Sequence, residues 1–147
     1  MNPGIKEVVL ACGEAPAPGW LDHFRTSVNP CEVVVRVLPE LGYVAELRGQ
    51  YPRLRGKLRA FFDDVFGGPG AEGCIAWAHN QSLGRNLIAT RELARSCSAH
   101  KRLLVLHHHD WWFDNRWQRW REMRECGART LASVAKALLP HSPGIRH

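Results

Sequence analysis

Cys74-Ile75-Ala76-Trp77-Ala78-His79-Asn80 and, a helix-length further on, Arg102-Leu103-Leu104-Val105-Leu106-His107-His108-His109-Asp110 are apolar runs of strand length that each break off in polar side chains. Neither run alternates strictly between apolar and polar residues. That is how strands covered on both faces read. Between them Ser82 is placed to cap a helix running through Leu87, Ile88, Leu93 and Ala94. Strand, helix, strand in this order is the unit of a parallel sheet.

The pattern extends outward from this pair. Lys6 to Cys12 is a short apolar run closed by Gly13, and Gly13-Glu14-Ala15-Pro16-Ala17-Pro18-Gly19 is a loop by composition. Trp20 to Ser27 suits a short helix, and valine-rich Cys31 to Leu38 suits a second strand that Pro39 ends. Leu54, Leu58, Phe61, Phe62 and Val65 form an apolar stripe at helical spacing, stopped by Gly67-Gly68-Pro69-Gly70. A last helix is expected over Arg116 to Leu139. Asp114 is its N-cap, Trp117, Trp120, Leu131, Val134 and Leu138 lie on its inner face, and Pro140 is its stop. The fold class expected is α/β: a parallel sheet flanked by helices on both faces, in a single domain over 1–147.

Composition narrows the function classes. A chain of 147 residues with 45% hydrophobic content is long enough for a core and too apolar for a disordered segment. No apolar run reaches membrane-span length and no signal-peptide core opens the sequence, so a cytoplasmic protein is expected. The five cysteines, Cys12, Cys31, Cys74, Cys97 and Cys126, are scattered and never form a C-x-x-C pair, which argues against a disulfide framework or a thiolate zinc site. The net charge is +6, concentrated in 48–59 and 116–129, and it favours anionic partners. A solvated basic helix face is the plainer reading of the first region.

In a parallel sheet, ligands bind outside the carboxyl ends of the strands. That puts His79-Asn80-Gln81-Ser82-Leu83-Gly84-Arg85-Asn86 and His107-His108-His109-Asp110-Trp111 on one rim. In the first cluster a helix N-terminus, Gly84 and the forked donors of Arg85 suit a phosphate or carboxylate, while local capping by Asn80 and Ser82 is the structural alternative. In the second, His107 and His109 point to one side of an extended chain and His108 to the other. A histidine beside a carboxylate suits acid–base work. A metal is a further option, but neighbours on one strand converge poorly on an ion, so it needs a ligand from elsewhere such as His79. The tryptophans suit a stacking platform for a sugar or base, or packing anchors. Arginines interleaved with aromatics raise nucleic acid as a partner. The absence of a known module and the charge dilution by Glu122 and Glu125 weigh against it.

The segment from Ile75 through Asn86, with Leu103-Leu104-Val105-Leu106-His107-His108-His109-Asp110 after the helix, resembles the N-terminal lobe of GT-B glycosyltransferases, most closely the bacterial retaining enzymes of family 4. The likeness is best from about Gly73 to Pro140. It implies a Rossmann-like, acceptor-side lobe facing a donor-binding lobe across a cleft. It makes His109 and Asp110 the catalytic candidates, His109 orienting groups at the anomeric centre rather than holding a metal. His79, Asn80, Gly84, Arg85, Asn86, His107, Trp111, Asn115 and Arg116 become the substrate-binding set. It implies no cofactor beyond a nucleotide-sugar co-substrate. The partners implied are a carbohydrate or glycolipid acceptor, a donor lobe in trans or a second copy, and peripheral membrane contact. The sequence departs from the family in its proline-bearing first loop. It also reaches Ser142-Pro143-Gly144-Ile145-Arg146-His147 about where the crossing to the donor lobe should begin, so a chain truncated to one lobe, with little transfer activity alone, is expected. Two other readings stay open: a non-catalytic binding module for an anionic ligand or protein partner, and a metal-assisted hydrolase using His79, His107, His109 and Asp110.

Overall fold

The structure, a computed structural model, describes residues 4–47, 51–111 and 119–147. The chain is α/β, with two small parallel sheets flanked by helices, compatible with a Rossmann-like fold. The expectation was one sheet, whereas the strands form a pair and a triplet. The chain divides into two compact units, Met1–Gly42 and Tyr43–His147.

In the first unit β1 (Glu7–Cys12) and β2 (Glu32–Val37) pair in parallel, from Glu7 opposite Glu32 to Cys12 opposite Val37. The connection is α1 (Pro18–Ser27), opened by a proline whose fixed φ suits a first helical turn. Trp20 stacks on Phe24 along its surface, with ring centroids 5.2 Å apart.

The second unit holds all the buried apolar side chains found among the described residues. It contains α2 (Tyr51–Gly67), β3 (Ile75–His79), α3 (Leu87–Ala99), β4 (Leu103–His107), α4 (Trp120–Glu125), α5 (Leu131–Leu138) and β5 (Ile145–Arg146). The strand order is β3-β4-β5, all parallel. Of the stripe on α2, Leu54, Leu58 and Phe62 are buried and Phe61 and Val65 are half-buried, while Phe66, outside the stripe, is buried as well. Helix α2 packs on α3, which in turn packs on β4 and α5. Polar side chains knit α2 to α3. Arg95 Nη2 donates to both carboxylate oxygens of Asp63 at 3.0 and 2.9 Å, and Ser96 Oγ donates to Asp63 Oδ1 at 2.6 Å. Buried Glu92 accepts from the Nε groups of Arg55, Arg59 and Arg95 at 2.6, 3.0 and 2.9 Å. Part of the first basic region is therefore spent on holding a carboxylate inside the fold.

Three expectations are corrected. First, β3 does alternate: Ala76 and Ala78 are buried while Ile75, Trp77 and His79 face out, Ile75 at 60% and Trp77 at 65% exposure. The alternation was hidden because both parities are apolar, the small residues facing in and the large ones out. Second, the single last helix is two. The segment after α4 passes through Gly127 at φ +83°, a conformation that suits glycine, and α5 restarts at Thr130. Thr130 and Ser133 exchange side-chain and backbone hydrogen bonds in a capping box, which makes the restart local and complete. Leu131, at the first turn of α5, is 53% exposed and not an inner-face residue, whereas Val134 and Leu138 are buried. Third, the tail at 142–147, where the sequence reading places no strand, contributes β5, with Leu104 opposite Ile145 and Val105 opposite Arg146. No helix among the described residues is long and apolar enough to cross a membrane.

Candidate functional site at the ends of β3 and β4

Parallel pairing in register puts His79 directly opposite His107 at the carboxyl ends of their strands. The register follows from burial: Ala76 and Ala78 face in beside Leu104 and Leu106, and a slip of one residue would turn each of these sets outward. His79 and His107 therefore share the open face of the sheet, with ring centroids 5.3 Å apart. The chain bends at His109, whose ring returns to the same side, 4.8 Å from His79 and 4.5 Å from His107. Trp77, one turn of the pleat below His79, meets the His107 ring edge-on at 5.4 Å.

Asn80 joins the two clusters. It sits at φ 58°, in the left-handed region that asparagine tolerates better than most residues. Its backbone N–H donates to His107 O at 2.7 Å, continuing the ladder by one step. Its side-chain Oδ1 accepts from the backbone N–H groups of His109 and Asp110 at 3.3 and 3.0 Å, and its Nδ2 donates to Asp110 Oδ2 at 3.0 Å. The Ser82 hydroxyl donates to the Asp110 carbonyl. One asparagine and one serine thus read the turn after β4, and the shared rim expected from topology exists as a hydrogen-bonded unit.

The helix that opens here is capped by Asn86, not Ser82. Asn86 Oδ1 accepts from Ala89 N at 2.9 Å, while Ser82 lies in a short 3-10 turn that Gly84 closes at φ 66°. The turn inserts itself between strand and helix, so the cap moves four residues downstream. Gly84 serves by its left-handed backbone. The Arg85 guanidinium lies over the Tyr43 ring, 3.5 Å from its centroid, and Arg85 Nε is buried with no hydrogen-bond partner among the described residues. Gln81 Oε1 accepts from Thr90 Oγ1 at 3.0 Å, a tie from the turn into α3 that the sequence does not advertise.

His108 takes the opposite side from its neighbours, as extended geometry requires. Its ring stacks on Trp111 at 5.1 Å and on His147 at 5.4 Å, and its Nε2 lies 3.1 Å from His147 Nδ1. Burial, reinforced by His147 and His107, holds its imidazole below the usual histidine range. Trp111 is therefore placed against His108 and His147, apart from the trio of His79, His107 and His109. The participation of His147 was missed, because a two-residue strand leaves no pattern in a sequence. Asn115 and Arg116, with Asp114 and Trp117, lie outside the described residues. On α4, Arg121 Nε pairs with Glu125 Oε1 at 3.2 Å, one turn apart, the helix-face pairing expected for that region.

The rim is open. A hollow of about 300 Å³ between α3 and α5 is lined by Arg91, Ala94, Ser133, Lys136, Ala137 and Pro140, none of which belongs to the strand-end clusters. No family model, curated protein or solved structure matches the chain.

Proposed function

We propose that this chain provides the acceptor side of a sugar-transfer cleft in a GT-B type glycosyltransferase, completed by a donor-binding lobe. One observation supports the reading most: the two motifs that carry the resemblance meet at the carboxyl ends of parallel strands, bracketed by Asn80. In this reading the open face beside His79, His107 and His109 receives the acceptor sugar, and Trp77 offers a flat apolar surface for its ring. His109 faces the reacting sugar. Asp110, held by Asn80 Nδ2 and by Ser82 at its carbonyl, positions His109 more than it meets substrate. The donor is a nucleotide-sugar and no resident cofactor is required.

The test is sugar transfer by the chain joined to a donor lobe, assayed over a panel of uridine, guanosine and adenosine diphosphate sugars. Transfer that disappears in His109→Ala, with the far-ultraviolet circular dichroism unchanged, supports the reading. No transfer from any nucleotide-sugar by the assembled wild-type protein removes it.

A second reading, a binding module for an anion at the same rim, is favoured by Arg85 Nε beside the start of α3, which has no hydrogen-bond partner among the described residues. It predicts that Arg85→Gln lowers affinity for phosphate or carboxylate ligands while no assembly shows turnover.

A further inference from the structure

His79, His107 and His109 are a set that the glycosyltransferase reading uses only in part. We propose that together they form a binding site for a divalent transition-metal ion of the zinc class. Each residue offers one ring nitrogen, and those nitrogens lie within 4.8 Å of one another. Zinc–nitrogen bonds of about 2.0–2.1 Å put the ligands of a tetrahedral ion roughly 3.4 Å apart. The gap to close is on the order of 1 Å, within the reach of small side-chain rotations.

The backbone prepares this arrangement. Two ligands are register partners across a parallel ladder, so their Cα positions are fixed by the sheet and by the burial of Ala78 and Leu106 beneath them. The third is brought back by the bend at His109, and that bend is tied by a hydrogen bond from His109 N to Asn80 Oδ1, in the residue next to the first ligand. The difficulty that adjacent histidines on one strand converge poorly is met by His79 arriving from another strand.

The donor set also indicates which ion. Three imidazoles suit zinc, copper, nickel or cobalt, and lack the oxygen ligands that magnesium and calcium require. The Asp110 carboxylate is engaged by Asn80 Nδ2 and is not part of the cluster. Three histidines leave the fourth position of a tetrahedral ion to another ligand, as in zinc sites that do chemistry. An ion here would occupy the nitrogen that His109 turns toward a sugar in the proposed function. The two uses exclude one another, and metal binding is measured with no sugar present.

The experiment is calorimetric titration of the whole chain with zinc chloride, followed by cobalt(II) absorption spectroscopy, on protein purified with a tag that contains no histidine. The expected result is one zinc per chain and an intense visible cobalt band of four-coordinate type. His79→Ala, His107→Ala and His109→Ala each weaken binding at least about 10-fold, the loss that removing even an outer-shell partner brings. His108→Ala and His141→Ala leave it intact. Where an alanine variant loses its circular dichroism signal, the glutamine variant at the same position replaces it. Absence of zinc binding overturns the proposal, and so does binding that survives in the His79, His107, His109 triple variant.

Discussion

Asn80 and Asp110 lock together through both ends of one amide: Nδ2 donates to Asp110 Oδ2 at 3.0 Å while Oδ1 accepts from Asp110 N at 3.0 Å. The strand-end rim rests on this contact more than on any other. Asn80→Ala removes it, removes the bond from His109 N, and forces a Cβ-bearing residue without a compensating side chain to keep φ near 58°. Lost hydrogen bonds and left-handed strain together predict a destabilisation of about 2–4 kcal/mol in urea unfolding. Asn80→Gly loses the bonds but not the backbone freedom, so it should recover about 1 kcal/mol of that. Equal losses in the two variants would show that strain plays no part.

The two carboxylates between α2 and α3 predict the acid limb of stability. For Asp63 the hydrogen bond from Ser96 leads, and with Arg95 it outweighs burial. For Glu92 burial pushes upward, but the hydrogen bonds from Arg55, Arg59 and Arg95 prevail. Both groups are held below the ordinary carboxylate range. Their contribution is therefore full above the unfolded-state pKa, near 4, and is lost as pH falls through the lowered folded values. The melting temperature should decline below about pH 4. In Glu92→Gln the chain should be less stable at pH 7, by about 1.5–3 kcal/mol, with a flatter acid decline. A parallel decline in the variant would remove Glu92 from the account.

Cysteine labelling separates the thiols. Burial pushes the Cys97 thiol up to about 12 and the Cys126 thiol up to about 11, and both side chains are enclosed. Neither forms thiolate at neutral pH, so both should resist iodoacetamide in the native chain and react only in denaturant. Cys12, Cys31 and Cys74 are less enclosed and should carry the label first, as read by peptide mass spectrometry. Early modification of Cys97 would contradict the packing of α3 on β4.

The two faces of the β3-β4-β5 sheet should respond oppositely to truncation. Leu104 is fully buried, and Leu104→Ala should cost about 2–5 kcal/mol. Trp77 stands on the open face, and Trp77→Thr should change stability by no more than about 0.5 kcal/mol, because threonine suits a strand and little is uncovered. A large loss at Trp77 would mean that this face is covered.

Much of the site was legible because its logic is topological. Apolar runs ending in polar residues, joined by a helix, imply a parallel pair, and the parallel pair brings His79 to His107. The opposed directions of His107 and His108 follow from the pleat alone. The features that were not legible depend on competition between neighbours. Ser82 and Asn86 are both good caps, and only the 3-10 turn ending at Gly84 decides for Asn86. Gly127 lies inside what reads as one amphipathic run, yet a single left-handed residue divides it. The facing of Ile75 and Trp77 was hidden because alanine and tryptophan are both apolar, so the pattern carries no parity. The shared rim of Asn80 and the turn after β4 follows from topology, but the individual bonds of its amide have no local signal, since the partners lie about thirty residues away.

Ile145 and Arg146 run parallel to β4 in the sheet, so β5 delivers His147 toward the same end at which β3 and β4 stop, where its ring meets His108. His147 and the His108 side of the strand ends are neighbours. Anything joined after His147, a reporter, a purification handle or another folded body, begins its path beside His108 and Trp111, on the side away from the trio. A body joined there should disturb the His108 side of the strand ends before it reaches His79, His107 and His109.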